Sequence, residues 1–243
     1  MDTEYKGIEI RAAGNIHANL ASRLVDTVPK ETVVLELGSG NGALALRLMD
    51  LGYSMICTDG DPAKFELDAP KCFEVDYNTE FAETITETVG PGPYPTIVTV
   101  EVIEHLENPA AFLRECAKLL APDGRLIVTS PNLQSAATRI RIFTRGTPAW
   151  FSPEEARGEH HVSPMFSWFM VEHAHTAGLE VTDEWCTDSN IVTTWAYGWK
   201  TKLLYSRSMQ RFMEKHWGAD GGDVRSFELR HGDTEGTARY WDR

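Results

Sequence analysis

The stretch Val33–Gly42, with the sequence VVLELGSGNG, decides the fold of this chain. Its apolar first half predicts a short strand, its glycines predict a tight turn, and a helical pattern begins directly afterwards. Glu36 places a carboxylate just before the first glycine. In an α/β sheet, such a strand, turn and helix bring backbone N–H groups and a carboxylate to one small-molecule site. We therefore predict a nucleotide-cofactor site at this turn.

The glycine pattern alone fits more than one cofactor. Gly38, Gly40 and Ala43 have the spacing of a loose dinucleotide fingerprint, and Asp59 follows about where an NAD protein places its ribose-binding acid. A Walker phosphate loop is excluded, because no Gly-Lys-Ser/Thr follows. The glycines leave open a dinucleotide, an adenosyl cofactor and a purely structural turn.

Acidic residues end several further predicted strands. These strands are Ser54–Asp59, Cys72–Asp76 and Pro95–Glu101, and Gly124–Ser130 is a fifth strand. Helical patterns separate most of them, which predicts an α/β fold with a parallel sheet covered by helices on both faces. Acids at the carboxyl ends of neighbouring strands collect at one edge of the sheet. They suit a ligand with hydroxyls, an amine and a positive charge, and they repel a pyrophosphate.

The motifs at 36–42 (ELGSGNG) and 100–106 (VEVIEHL), together with Asp59 and Asp76, resemble the class I S-adenosylmethionine-dependent methyltransferases. The branch resembled is the ubiquinone/menaquinone-biosynthesis-like group of small-molecule methyltransferases, and the likeness covers residues 30–135. It implies S-adenosyl-L-methionine as the cofactor and a Rossmann-like three-layer sandwich. The implied sheet has seven mostly parallel strands with an antiparallel last strand, and a small cap insertion accompanies it.

The resemblance also implies roles for single residues. Glu36 and the glycine turn would hold the methionine end of the cofactor, Asp59 the ribose hydroxyls and Asp76 the adenine amine. A carboxylate can accept both ribose hydroxyls, and acids stabilise the cationic sulfonium. The full implied cofactor-binding set is Glu36, Gly38, Ser39, Gly40, Gly42, Asp59, Gly60, Asp76, Tyr77, Glu101 and Val102.

Two histidines are candidate catalytic residues. His105 follows the fourth predicted strand and could act as a general base, or it could fix the loop through a hydrogen bond. The same two interpretations stay open for Glu104. His161 is the stronger candidate for a role beside the acceptor. Adjacent histidines at 160 and 161 on an extended segment point apart, and no spaced Cys or His stands nearby, so we expect no metal.

Residues 132–165 form a connection that is longer than usual between a strand and a helix. A helix is predicted for Ser135–Thr144, and in the resembled family insertions here form the acceptor-binding cap. Arg139, Arg141 and Arg145 could recognise a phosphate or carboxylate on the acceptor. They could equally pair with nearby glutamates on a solvated face, and both interpretations stay open.

The remaining elements follow from apolar spacing. Helices are predicted for Asn15–Val28, from Asn108–Pro109 onward, and for Ser167–Ala177. The strands Leu179–Trp185 and Ile191–Tyr197 are expected to complete the sheet. Trp199–Trp217 predicts a basic amphipathic helix that we expect to pack on protein, with an anionic membrane surface as the alternative. Gly218–Arg243 is polar and is expected to be loose in part.

The composition favours a cytoplasmic enzyme. The chain has 243 residues and a net charge of −13, and an acidic protein lacks the basic face that nucleic-acid binding needs. Four widely spaced cysteines are expected to be reduced thiols, and we expect neither a signal peptide nor a membrane span. We predict one methyltransferase domain over 1–243, as a monomer or a homodimer. Its parts are an N-terminal helical segment (1–30), a cofactor-binding core (31–131), the acceptor cap (132–165) and a C-terminal helix and tail (198–243).

The function expected from these features is methyl transfer to a small or carrier-linked acceptor. A hydroxyl of a glycan, natural product or quinone-like molecule is the predicted target, and the acceptor could be anionic. The alternative is a regulatory or scaffold protein that binds S-adenosylmethionine without turnover. An NAD-dependent oxidoreductase is the third hypothesis.

Overall fold

A computed structural model describes residues 3–13, 15–187, 208, 211–212, 215–216 and 222–232. The strands are β1 (Glu4–Tyr5), β2 (Ile8–Glu9), β3 (Val33–Leu37), β4 (Ser54–Asp59), β5 (Cys72–Glu74), β6 (Tyr94–Thr99), β7 (Leu120–Pro131), β8 (Leu179–Thr187) and β9 (Val224–His231). The helices are α1 (Ile16–Thr27), α2 (Ala43–Asp50), α3 (Phe81–Thr88), α4 (Pro109–Leu119), α5 (Ala136–Arg145), α6 (Pro153–Gly158) and α7 (Ser167–Thr176). Short 3₁₀ turns follow β4 at Pro62–Lys64 and β6 at Ile103–His105.

Seven strands form one sheet in the order β5-β4-β3-β6-β7-β9-β8. The first five in this order run parallel, and β9 is antiparallel to both of its neighbours. Successive residues of β3 face opposite sides, because side chains alternate along a strand. Val34 packs with α1 and α2, whereas Leu35 packs in the cluster that contains α3, α4 and α7. The predicted three-layer sandwich with a mostly parallel seven-stranded sheet is therefore confirmed.

The antiparallel strand comes from a part of the chain that we predicted to be tail. We expected Ile191–Tyr197 in this position, and those residues lie outside the described part of the chain. The strand observed there is β9, so the expected polar, partly loose tail is wrong for Val224–His231. Charged residues conceal this strand in the sequence. Buried Arg225 pairs with Glu184 on β8, and buried Glu228 accepts from Arg230 at 2.8 Å, so the charges are compensated inside the fold.

The N-terminal segment contains more than the predicted helix. The helix predicted over Asn15–Val28 is confirmed as α1. Ahead of it, β1 and β2 pair as a short antiparallel hairpin, which the sequence did not reveal. Ile8 and Ile10 pack against Ala43 at the start of α2, and the Tyr5 hydroxyl donates to Asp50 at 2.8 Å. The hairpin therefore lies beside the glycine turn.

Side-chain caps mark the start of α4, α5 and α6. Asn108 accepts from the Ala111 N–H at 3.0 Å and starts α4, as predicted. Ser135 caps α5 in the same way, and Ser152 with Glu155 forms a capping box at the start of α6. Both α5 and α6 fall inside the segment 132–165 that we expected to be an insertion.

The basic amphipathic helix predicted for Trp199–Trp217 lies almost wholly outside the described residues. Within the part of the chain that the structure describes, none of the helices has the length and apolar character needed to span a membrane.

Candidate functional site

A cavity of about 910 Å³ opens at the carboxyl ends of β3, β4 and β6. Three parts of the chain line it. The strand ends contribute Glu36, the glycine turn and Asp59, the N-terminal segment contributes residues 9–13 and His17, and the cap contributes Trp150, Glu155 and residues 158–161. This volume is in the range of small-molecule and cofactor pockets.

The glycine turn needs its glycines for two physical reasons. Gly38 has φ +85°, and a Cβ there would lie 2.2 Å from the Val102 Cγ2. Gly42 has φ +92°, and a Cβ would lie 2.9 Å from the Phe65 ring. Gly40 has φ +51° but open space around it, so its requirement is conformational alone. The turn therefore packs its backbone closely against Val102 and Phe65, and its Gly38 and Gly40 N–H groups donate to Tyr77 and Asp59 in the structure.

Glu36 is a buried carboxyl at the end of β3. Burial raises its pKa to about 8, the nearby Asp59 adds to this, and hydrogen bonds from Ser39 and Cys57 partly oppose it. The Cys57 Sγ lies 3.9 Å from Glu36 Oε2. Because burial penalises the charged form, Glu36 is protonated at neutral pH without a ligand. A cationic ligand would draw it into the ionised state.

Asp59 is held in place by the backbone around it. One carboxylate oxygen accepts from the Gly40 N–H and the other from the Asp61 N–H, both at 2.8 Å. Gly60 follows directly and also lines the cavity. The carboxylate thus bridges the glycine turn and the end of β4, with further lone pairs available to ligand hydroxyls. Both residues line the cavity, and the ribose-binding role of Asp59 stays a prediction.

Asp76 and Tyr77 were both predicted to bind the cofactor, and the structure separates them. Asp76 is exposed and outside the cavity lining, and its Oδ1 accepts from the Asn78 N–H at 2.9 Å. Tyr77 is buried and lines the cavity, where its hydroxyl accepts from the Gly38 N–H at 2.9 Å and bonds to Thr58 at 2.9 Å. The adenine role of Asp76 stays a prediction that its position in this structure does not favour.

Glu101 and Val102 line the cavity, and their predicted contact with the cofactor stays a prediction. Glu101 lies two residues past β6 with φ +53°, a conformation that is uncommon for a residue with a side chain. Its Oε2 accepts from the Ala13 N–H at 2.8 Å, and burial raises its pKa. This bond ties the N-terminal segment across the cavity. Strained backbone of this kind is concentrated at functional sites.

The structure brings His105 and His161 together. The Glu104 carbonyl accepts from the N–H groups of Val162 and Ser163, each at 2.9 Å, and this places His161 beside His105. The two rings meet edge to face with centroids 4.7 Å apart. Burial, with His161 adding to it, lowers the pKa of His105. Both candidate catalytic histidines therefore lie at the cap end of the cavity.

Glu104 lies beside this pair of histidines. It is fully buried, neither carboxyl oxygen has a hydrogen-bond partner among the described residues, and burial raises its pKa well above the ordinary value. Its ligand atoms and those of His105 and His161 all lie within 4.8 Å of one another, a group that could hold a metal ion. Our expectation of no metal assumed that His161 has no partner. The fold supplies one, so that reason does not hold, and the expectation itself stays untested.

The carbonyl of Trp150 decides the tautomer of His161. It lies 2.7 Å from His161 Nδ1 and can only accept, so Nδ1 carries the hydrogen and Nε2 keeps a lone pair. Trp150 itself has φ +67°, and neighbouring Phe151 packs at 5.5 Å from the His161 ring. The cap thus fixes His161 as a base or ligand through Nε2.

The arginines of the cap do not meet the cavity. Arg141 makes two hydrogen bonds of 3.0 Å to Glu155, and the Arg139 Nε donates to the Gln134 carbonyl at 3.2 Å. Arg139, Arg141 and Arg145 are all absent from the cavity lining. Of the two interpretations left open, pairing with glutamate is observed for Arg141. An anionic acceptor therefore gains no support from these residues.

From the sequence, the helix ahead of the first core strand could close over the cofactor, as the resemblance implies, or only pack on the domain, and none of its residues was named as a site residue. Arg11, Ala13 and His17 line the cavity, although the helix α1 itself was predicted. A helix just ahead of the first core strand is the only signal that could have indicated this, because nothing in residues 9–13 resembles a ligand-binding motif.

The family model described as "Methyltransferase domain" matches residues 11–184. A "Ubiquinone biosynthesis O-methyltransferase" of Caulobacter sp. (strain K31) is 35% identical over 103 residues, which cover 41% of this chain and 40% of that protein. A protein of the same name from Xanthomonas euvesicatoria pv. vesicatoria (strain 85-10) is 30% identical over 160 residues, covering 62% and 63%. The matched part thus spans less than two thirds of either relative.

Solved structures show the same fold at low identity. Magnesium protoporphyrin IX methyltransferase from Synechocystis PCC 6803, with bound SAH, is 15% identical with a TM-score of 0.56 and covers 90% of this chain and 83% of its own. A SAM-dependent methyltransferase from Archaeoglobus fulgidus is 16% identical with a TM-score of 0.54, covering 88% and 93%. The predicted methyltransferase family is confirmed. The chain belongs to the methyltransferase-domain family, within the class I S-adenosylmethionine-dependent methyltransferases.

Proposed function

We propose that this chain transfers the methyl group of S-adenosylmethionine to a hydroxyl of a small or carrier-linked acceptor. A glycan, a natural product or a quinone-like molecule is the class of acceptor proposed. The observation that carries the proposal is the pair His105 and His161 at the cap end of the cavity. The similarity to relatives named O-methyltransferases supports oxygen as the methylated atom.

The cavity fits the cofactor. The glycine turn lines the cavity without side chains at Gly38 and Gly40, and Asp59 offers acceptor oxygens for vicinal hydroxyls. Buried Glu36 suits a cationic group because ionising it without one is costly. When bound, S-adenosylmethionine supplies a methyl group on a positively charged sulfur, so the protein mainly orients the acceptor and manages its proton.

His161 is the residue proposed to accept that proton. Its Nδ1–H is held by the Trp150 carbonyl, so Nε2 is the basic nitrogen, and an acceptor hydroxyl in hydrogen-bond reach of Nε2 would give its proton to that nitrogen. His105 packs against this ring. Its pKa is lowered by burial, which keeps it uncharged and avoids repulsion when His161 gains the proton.

A divalent cation bound beside the two histidines is a second way to activate the acceptor hydroxyl. Glu104, His105 and His161 would hold it, and a cation bound there would lower the pKa of a coordinated hydroxyl. Dialysis against a chelator separates the two chemistries, because it abolishes metal-assisted turnover and leaves turnover by a histidine base unchanged.

The test combines cofactor binding with a methyl-transfer screen over phenolic, glycan and nucleotide-sugar acceptors. For His161→Gln we expect turnover to fall by at least tenfold with an unchanged dissociation constant for S-adenosylmethionine, in the lower part of the range for general-base catalysis. His175→Gln, on α7 and outside the cavity lining, is the matched control. Full turnover in His161→Gln would contradict the base.

The alternative function is a regulator or scaffold that binds the cofactor without chemistry. Tight S-adenosylmethionine binding with no transfer to any hydroxyl acceptor would favour it. Transfer to an amine or carbon acceptor alone would keep the methyltransferase activity and refute the proposed O-methylation.

A further inference from the structure

An aromatic side chain of the cap lines the cavity without a partner of its own. Trp150 is half-buried and belongs to the cavity lining. Among the described residues its polar contact is made by the backbone carbonyl, 2.7 Å from His161 Nδ1, and its indole ring has neither a ring contact nor a hydrogen bond there. Such a ring offers a ligand both a flat apolar face and an N–H donor.

The backbone at Trp150 is held in an uncommon conformation. Its φ is +67°, which a bulky residue rarely adopts. The neighbouring segment maintains it, because Ser152 and Glu155 form the capping box of α6 and Arg141 on α5 makes two hydrogen bonds of 3.0 Å to Glu155. Backbone strain that the surroundings maintain is a reason to look for a function. Trp150 is therefore held in place beside His161, the proposed base.

Negative charge dominates the cavity. Six carboxyl groups line it, those of Glu9, Glu36, Asp59, Glu101, Glu155 and Glu159. Among the described lining residues the lysine and arginine side chains are Lys64 and Arg11, and both lie outside the cap. Lys64 pairs with Asp61 at 2.8 Å. The cavity therefore repels a phosphate or carboxylate on the acceptor and attracts a cation.

Two carboxyl groups at the cap end lack a positive partner. Glu159 is exposed, lines the cavity and makes no ion pair with a described residue. Glu104 is fully buried, and neither of its oxygens has a hydrogen-bond partner among the described residues. Its ligand atoms lie within 4.8 Å of those of His105 and His161, which line the cavity. A buried carboxyl without a donor is costly, and the predicted cofactor-binding residues include neither glutamate. A positive group on the acceptor would offset both charges.

On the basis of the methyl transfer proposed above, we propose that the acceptor is a hydroxylated ring compound that carries a protonated amine, with Trp150 stacked on its ring and Glu159 facing its positive charge. An indole face attracts an organic cation as well as an apolar ring. It offers no lone pair to a divalent metal ion, which takes oxygen, nitrogen or sulfur ligands. Trp150 therefore favours an ammonium group as the cation at this end of the cavity.

The first test uses the wild-type protein loaded with S-adenosylhomocysteine and two series of probes that differ in charge. Tyramine, N-acetyltyramine and 4-hydroxyphenylacetate share one phenol, and glucosamine, N-acetylglucosamine and glucuronate are the corresponding sugars. In calorimetry the amine of at least one series should bind at least about tenfold more tightly than the acid, with the neutral amide between them. Equal affinities within both series, a preference for the acids, or no binding of either amine would overturn the proposal.

Variants of the cap then separate the ring contact from the charge. Trp150→Ala should weaken binding of the preferred amine about 5- to 30-fold, the range of a cation over an indole face, and Trp150→Phe should recover most of the loss. Glu159→Gln should reduce the preference for amine over acid about two- to fivefold, as for an exposed charge. Trp168→Ala, on α7 and outside the cavity lining, is the matched control. An unchanged affinity of Trp150→Ala for the amine would refute the ring contact.

The charge preference and the methyl transfer fail separately. S-adenosylhomocysteine has no methyl group to donate, so the affinities are measured without turnover. A preference for amines with no methylation of any hydroxyl would refute the proposed function and leave the charge preference standing. Methylation of hydroxyls on neutral and acidic probes as efficiently as on the amines would do the reverse.

Discussion

Cofactor binding should release a proton from Glu36. Without a ligand the buried carboxyl has a pKa of about 8 against an ordinary value of 4.5. Ionising this carboxyl in the free protein therefore costs about 5 kcal/mol more than ionising it in water, at 1.36 kcal/mol per pKa unit. A positively charged cofactor favours the ionised form, so Glu36 must lose its proton when the complex forms.

The magnitude follows from that pKa. At pH 7 about nine tenths of the unliganded protein carries the Glu36 proton, so binding should release about 0.9 proton per cofactor. Affinity should rise about tenfold between pH 6 and pH 7 and level off above pH 8. Binding must release a proton rather than take one up, because Glu36 is neutral in the free protein and ionised in the complex.

Calorimetry at pH 7 in two buffers of different ionisation enthalpy measures this release. The cofactor's own ammonium titrates near pH 8, as α-amino groups do, so Glu36→Gln provides the baseline. The variant should bind more weakly and release close to no proton. Equal release by the wild type and Glu36→Gln would refute the reasoning.

Three further outcomes are expected. Gly38→Ala should lower the unfolding free energy and abolish cofactor binding, because strain from φ +85° adds to the collision with Val102. Gly40→Ala should cost only the backbone strain of about 1–2 kcal/mol, because its surroundings are open. Equal losses of unfolding free energy for the two variants in urea denaturation would contradict this. Between pH 6.5 and 4 the unfolded chain binds a proton at His17 that the folded chain does not. The unfolding free energy should therefore decrease by up to about 3 kcal/mol as the pH falls through this range, and His17→Gln should remove this pH dependence. Asp59→Asn replaces one acceptor oxygen with an NH2 donor that faces a backbone N–H, and it should weaken S-adenosylmethionine binding by about 1.5–3 kcal/mol, so an unchanged dissociation constant would rule out its ribose role.

The core of the fold could be predicted because its signals are local. Val33–Leu37 is apolar and ends in glycines that only a turn explains, and Asn108 ahead of a proline marks the start of α4. Val224–His231 could not be recognised, because its buried charged residues also depend on partners far away in the sequence, such as Glu184 for Arg225 and Arg125 for Glu228. Strands stabilised by distant ion pairs carry no signal in their own sequence.

The candidate site was predictable where the chain forms it from consecutive residues. The glycine turn, Glu36 and Asp59 all line the cavity as expected. His105 and His161 were each singled out, but their contact depends on the Glu104 carbonyl, which holds two N–H groups of a distant loop. Backbone contacts of this kind are independent of side-chain identity, so they could not be predicted from the sequence.

The place of β9 between β7 and β8 bears on how this protein is synthesised. Leu126 on β7 pairs with Leu229 on β9, so β7 is synthesised about a hundred residues before the strand with which it pairs. Until then a growing chain on the ribosome exposes the unpaired edge of β7, a ready template for aggregation. A chain cut before residue 224 would leave both β7 and β8 without the strand that pairs them. Its aggregation hazard would then be permanent rather than confined to the time of synthesis.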